Sequence, residues 1–142
     1  MARSKEATNS NPSYCGFSFG SIIEPTRGRE WQPAELAARA ARRARQFSSL
    51  GVARGERVLI HYGNTGEFFA DLLAIWRLGA CAIPVDPRLT EFEIDRLAEL
   101  ARPVLSIWPG SVPANVEARL HAVGSATVDT CMTDSSLSDE PG

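Results

Sequence analysis

The sequence predicts an α/β fold: repeated βαβ units with a mostly parallel sheet flanked by helices, preceded by a small hairpin. Three observations carry this prediction. From Arg57 onward, short apolar runs alternate with amphipathic stretches of helical period. The stretches between the runs have the length of crossover helices, and strands joined in that way pair in parallel with right-handed crossovers. Upstream, "FSFGSII" (Phe17 to Ile23) alternates as a strand, and "EPTRGRE" supplies the Pro and Gly for a reversal that returns Trp31 beside it.

The elements follow in order. "PAELAARAARRARQFSSLG" reads as the first helix, with Pro33 suited to the first helical position, Glu35 favouring the positive helix end and Gly51 available to stop it. Leu36, Ala40, Ala44 and Phe47 share one face, and Arg39, Arg42, Arg43 and Arg45 are expected on the solvated one. Next come the strand "RVLIHY" and the helix "TGEFFADLLAIWRLG". That helix carries Phe68, Phe69, Leu72, Leu73, Ile75, Trp76 and Leu78, an apolar surface wider than one stripe that predicts burial on more than one side. The strand "ACAIPVD", the helix "EFEIDRLAELA", the strand "PVLSIW", the helix "VPANVEARLHAVG" and the strand "SATVDTC" complete the alternation. "TEFE" fits a capping box in which the Thr90 hydroxyl and the Glu93 carboxylate satisfy two free N–H groups.

Composition excludes several function classes. The 142 residues are 44% hydrophobic and 23% charged, values of an ordinary globular domain. A net charge of −2 provides no field to attract nucleic acid, and no run of about 18 apolar residues is present to cross a membrane. Cys15, Cys81 and Cys131 are odd in number and widely spaced, and the N-terminus lacks an apolar signal core, which reads as a reducing, cytoplasmic protein. Cys81, in an apolar strand, is expected to pack. The polar, aperiodic ends read as a disordered N-terminus over 1–13 and a flexible acidic tail over 132–142, with the domain at 14–131.

Chemistry-bearing motifs are sparse. His61 and His121 fall on separate elements without a partner at metal-ligand spacing, so no metal site is expected. Asp71, Glu91, Glu93, Asp95 and Glu99 sit in helices as solvated carboxylates, and no G-x-S-x-G, H-E-x-x-H or G-x-x-x-x-G-K-[ST] occurs. No catalytic residue is nominated. One turn, "GNTG" (Gly63 to Gly66), lies between a strand and a helix, the usual setting of an anion site. It resembles in kind the flavin mononucleotide loop of flavodoxins, which implies an electron carrier. It offers a single hydroxyl, Thr65, and is followed by Glu67, whose charge opposes an anion. The simpler reading makes Asn64 the N-cap and Glu67 the reciprocal third residue of a capping-box variant.

A second resemblance extends from Trp31 to Trp108. "WQPAEL", "LGVARGERVLI", "GNTGEFF" and "LAIWRLGACAIPVDPRLT" resemble, in order and spacing, the first core motif, a strand entry, an x-N-x-x-E-F turn and the second motif of the adenylate-forming (AMP-binding) ligases. That superfamily includes acyl-CoA synthetases, luciferases and peptide-synthetase adenylation domains. The resemblance implies ATP-dependent activation of a carboxylate to an acyl adenylate, with ATP, Mg and coenzyme A or a carrier protein serving the complete enzyme. It also implies that the phosphate loop, the hinge and the catalytic lysine lie downstream of Gly142. The chain is then an N-terminal fragment or split half, an incomplete portion of a larger ligase domain that is not competent alone. Its partner is the remaining portion of the ligase, or a second copy of itself. Asp86, Pro87 and Arg88 match a loop near the coenzyme A nucleotide, where Arg88 faces a phosphate; the alternative is a strand ended by Pro and a helix begun by Thr90. A non-catalytic interaction module is the alternative function, because an incomplete sheet leaves an edge and a helix face uncovered.

Overall fold

The computed structural model describes residues 13–14, 17–18, 20–63 and 65–129. The segments 1–12 and 130–142, which include most of the expected loose N-terminus and acidic tail, lie outside the described residues, as does Asn64.

The N-terminal region is two small antiparallel ribbons. β1 (Ser13–Tyr14) pairs with β2 (Phe17–Ser18), and β3 (Ile22–Glu24) pairs with β4 (Arg29–Trp31), Ile22 standing opposite Trp31. The run Phe17 to Ile23 is therefore divided between two ribbons and is not one strand. The remaining elements are α1 (Pro33–Ser49), β5 (Arg57–Ile60), α2 (Gly66–Arg77), β6 (Cys81–Pro84), α3 (Glu91–Ala101), β7 (Leu105–Trp108), α4 (Ala114–Ala122) and β8 (Ala126–Asp129). Their four strands form one parallel sheet in the order β6-β5-β7-β8, with Arg57 opposite Cys81 and Leu105 opposite Ala126. The α/β prediction is correct.

Sequence accounts for the layering. Val58, Leu59 and Ile60 on β5 are fully buried, as a central strand covered on both faces requires. One face of the sheet carries α1 and α2: Ala44, Phe47, Ala74 and Ile75 close over Val58, Ile60, Leu105 and Ile107. The other carries α3 and α4, where Ile94, Ala98, Val116 and Leu120 surround Trp108. Gly51 (φ +97°) and Gly79 (φ +74°) take the left-handed conformation that ends α1 and α2. At the end of α3 the Arg57 side chain donates to the carbonyls of Ala101 and Arg102, satisfying C-terminal groups that the helix leaves free.

Three expectations from the sequence are corrected. Arg43 and Arg39 are not on a solvated face; they are 0% and 6% exposed, because α2 packs across α1 and Asp71 on α2 accepts from Arg43. Asp71 is accordingly buried rather than solvated. Cys81 is exposed rather than packed, because β6 is the outer strand of the sheet among the described residues.

Candidate functional site

The loops that leave β5 and β6 at their carboxyl ends enclose an open cleft of about 560 Å³. Tyr62 and Gly63 form one wall, the Pro84–Arg88 loop the other, and Phe68 and Phe69 of α2 the floor. Ligand sites of open α/β sheets lie at this edge of the strands. Asp86, Pro87 and Arg88 are thus brought together on the cleft, and two of them are bonded to each other. The Asp86 carboxylate accepts from the Arg88 backbone N–H at 2.8 Å, from Nε at 3.0 Å and from Nη2 at 2.7 Å. Those bonds pull the Asp86 carboxyl down to about 2. The loop consequently presents a closed ion pair rather than a bare cation, although the Arg88 side chain is 89% exposed. Just beyond it Thr90 and Glu93 form a capping box: the Thr90 N–H donates to Glu93 Oε2 at 2.8 Å and the Glu93 N–H to Thr90 Oγ1 at 3.3 Å. The first of these bonds holds the Glu93 carboxyl below the usual range.

Tyr62 owes its position to charge. Its hydroxyl donates to Asp71 Oδ2, and the same carboxylate accepts from Arg43 Nε at 2.5 Å and Nη2 at 2.9 Å. Arg43 also lies over the Phe47 ring at 4.8 Å. This buried triad ties α1, α2 and the end of β5 together behind the cleft wall. Arg43 carries no sequence signal that separates it from Arg42 or Arg45, whereas Asp71 is the one charge between Phe68 and Trp76, and that isolation in an apolar helix is the signal that could have found it.

The described residues at the end of the "GNTG" turn are engaged with other parts of the protein. The helix it precedes is capped not by Asn64 but by Thr65, whose Oγ1 accepts from the Phe68 N–H at 3.2 Å, because the helix starts one residue later than the sequence suggests. Glu67 does not simply reach back. Its carboxylate accepts from Arg27 at 3.0 Å and lies 3.8 Å from Arg29, both on the β3–β4 ribbon. Burial pushes the Glu67 carboxyl up, but the Arg27 hydrogen bond and the backbone bond outweigh it, and the net shift is down. The Trp31 indole lies against Gly66 so closely that a Cβ there would meet it at 2.1 Å. Its Nε1–H donates to the buried Glu24, and Arg29 stacks on the ring at 3.6 Å. Among the described residues, a carboxylate, an indole and a side-chain cap thus occupy the surroundings of the turn where a phosphate would sit.

At the boundary between β5 and β7, where the chain path turns back across the sheet, His61 stacks on Trp108 with ring centroids 3.9 Å apart. His61 is 8% exposed, and both its ring nitrogens and Trp108 Nε1 lack a hydrogen-bond partner among the described residues. Burial lowers the His61 pKa below its ordinary value, opposed in part by the negative charge of Asp86. Among the described residues no group of three His, Cys, Asp or Glu side chains is placed to hold a metal ion, and no helix is long and apolar enough to cross a membrane.

Comparison with known proteins gives these features a context. A model of the AMP-binding enzyme family matches residues 10–140. The chain belongs to this family. The resemblance read from Trp31 to Trp108 is therefore correct. Among AMP-binding enzymes, the 2,3-dihydroxybenzoate-AMP ligase of Bacillus subtilis is 28% identical over 116 residues, covering 73% of this chain and 22% of that enzyme. FadD10 of Mycobacterium tuberculosis, a medium/long-chain fatty acid ligase for the acyl-carrier protein, is 33% identical over 98 residues, covering 67% of this chain and 18% of that one. The crystal structure of apo MatB from Rhodopseudomonas palustris is similar with a TM-score of 0.71 and 28% identity, covering 77% of this chain and 22% of that chain. The chain spans about a fifth of the length of these AMP-binding enzymes.

Proposed function

We propose that this chain is the N-terminal portion of an ATP-dependent ligase that activates a carboxylate as an acyl adenylate, in the manner of an acyl-CoA synthetase, and that it is not catalytic alone. The observation that carries the proposal is the family match over residues 10–140, on a sheet that resembles the corresponding fifth of MatB. The cleft fits that reading: it has aromatic and proline walls and one closed ion pair, with no Ser, Cys, His or Lys among its described lining residues. The role of these residues is to hold scaffold. ATP, Mg and coenzyme A or a carrier protein serve the complete enzyme, and the remaining portion of the ligase supplies the phosphate loop and lysine. The setting is a reducing cytoplasm, and the substrate is a small-molecule carboxylate.

Within this reading, the Asp86-Pro87-Arg88 loop lies beside the coenzyme A nucleotide. Arg88 is exposed and its guanidinium fork suits phosphate as well as carboxylate, so it exchanges Asp86 for a phosphate oxygen when the nucleotide arrives. A chimera tests the proposal. With this chain in place of the matching 22% of MatB, ATP-dependent pyrophosphate release with the acid that MatB itself uses is the expected result. A folded chimera without turnover argues against it.

A second reading, a non-catalytic interaction module, is favoured by the apolar surface left open on α2, where Phe69 and Trp76 are 40% and 48% exposed. A stable monomer by sedimentation counts against it.

A further inference from the structure

The loop that follows β6 folds back toward the stacked rings of His61 and Trp108. The Val85 N–H donates to the Ile60 carbonyl at 2.9 Å, which carries the pairing of β5 and β6 one residue past the strands and sets Asp86 beside the end of β5. The Asp86 carbonyl then accepts from the Leu89 N–H at 3.1 Å, and Leu89 packs on the cluster that contains Trp108. His61 is held on the same rim, its backbone N–H donating to the Ile107 carbonyl at 2.9 Å. Both its ring nitrogens lack a partner among the described residues, in the neighbourhood of a turn that carries a carboxylate. A neutral imidazole has one N–H to donate and one nitrogen to accept, and burying either unmet is costly. We infer that the Asp86 carboxylate has two partners, Arg88 and His61, and passes from the first to the second when Arg88 takes a phosphate.

The present tie is a weak one. The Arg88 side chain is 89% exposed and that of Asp86 43%, and an ion pair so open to water is held loosely. Asp86 and His61 also feel each other's charge. Burial lowers the His61 pKa and the Asp86 charge opposes it, while the Asp86 carboxyl, held at about 2 chiefly by its bonds to Arg88, is lowered further by His61. The other charges on the elements packed around the two rings are committed or turned outward. Glu91 accepts from Asn115, Glu93 from Thr90 and Glu117 from Thr127, Asp95 pairs with Arg119, and Arg96 and Glu99 are exposed on α3. Asp129, opposite Trp108 at the end of β8, is engaged as well. The exchange has a use at the cleft. With Arg88 on a phosphate, a bare Asp86 would repel the ligand, whereas on His61 it is neutralised by a proton that the imidazole takes from solvent. His61 is thus a positioning residue that acts through Asp86. The part played by the phosphate rests on the function proposed above; the exchange itself does not.

Histidine-ring NMR of the 142-residue chain is the test, with the exposed His121 as the internal reference. Arg88→Gln frees Asp86 at an exposed position that leaves the core untouched, and the His61 pKa is expected to rise by about half a pH unit, roughly threefold in proton affinity. Removing a cation raises a neighbouring histidine in any case, so the same change is made in an Asp86→Asn background. There the rise is expected to be less than half as large. An equal rise in both backgrounds reports lost repulsion alone and overturns the exchange, as does no rise in Arg88→Gln. Either result leaves the proposed function standing, since that is judged by turnover of the chimera. Inorganic pyrophosphate, compared with sodium chloride at equal ionic strength, is expected to raise the His61 pKa of the unaltered chain and not that of Arg88→Gln. A response in both chains or in neither overturns the part assigned to the phosphate.

Discussion

At the scale of single residues, the contacts of Trp31 and Asp71 are the most demanding in the molecule. Gly66 lies so close to the Trp31 ring that a single methyl group forces the indole, its Glu24 hydrogen bond and the Arg29 stack to move together. Gly66→Ala is predicted to lower stability by about 1–3 kcal/mol, despite the better helix propensity of alanine, in a urea titration. Asp71 neutralises a fully buried guanidinium, and removing one partner of such a pair leaves the other charge stranded. Asp71→Ala is predicted to cost about 3–5 kcal/mol, and the double change Arg43→Met with Asp71→Leu to cost much less. His61 supplies a pH dependence. Its pKa in the folded chain lies below the unfolded value, so the folded state binds the proton less well, and its contribution to stability is complete above about pH 6.5. Stability is then lost as the pH falls below that value toward the folded pKa. The urea midpoint should drop between pH 7.5 and 5.5, and His61→Phe should flatten the drop while keeping the ring stack on Trp108.

At the scale of elements, much of the structure is written locally. The parallel strands and the four helices follow from apolar runs and helical periods in the order the sequence presents them, and "TEFE" encodes the Thr90 and Glu93 box that starts α3. Thr90→Ala is predicted to destabilise by about 1 kcal/mol, within the usual range for a lost side-chain cap. What local pattern does not encode is partnership across elements. The arginines of α1 look alike in sequence, yet Arg43 meets Asp71 on a different helix while Arg45 remains exposed. Glu67 has the spacing of a reciprocal cap, but it is drawn to Arg27, 40 residues earlier. Cys81 has the neighbours of a core strand, but its strand is the outer one. In each case the deciding residue lies far away in sequence, where neither propensity nor spacing reaches it.

At the scale of the whole molecule, the fold is a unit that the AMP-binding enzymes contain as about a fifth of their length. The sheet is covered on both faces, the described lining of the cleft at its carboxyl edge is mostly aromatic and proline side chains with one closed ion pair, and one helix presents an apolar groove beside that cleft. The family could be read from four motifs in sequence order, whereas the cleft could not, because its walls come from two loops and a helix that only the parallel register of β5 and β6 brings together. The most direct measurement is pyrophosphate release by the isolated 142 residues with ATP, Mg and a panel of carboxylic acids. A rate at the level of the buffer blank is predicted for every acid, and robust turnover with any one of them would contradict the account.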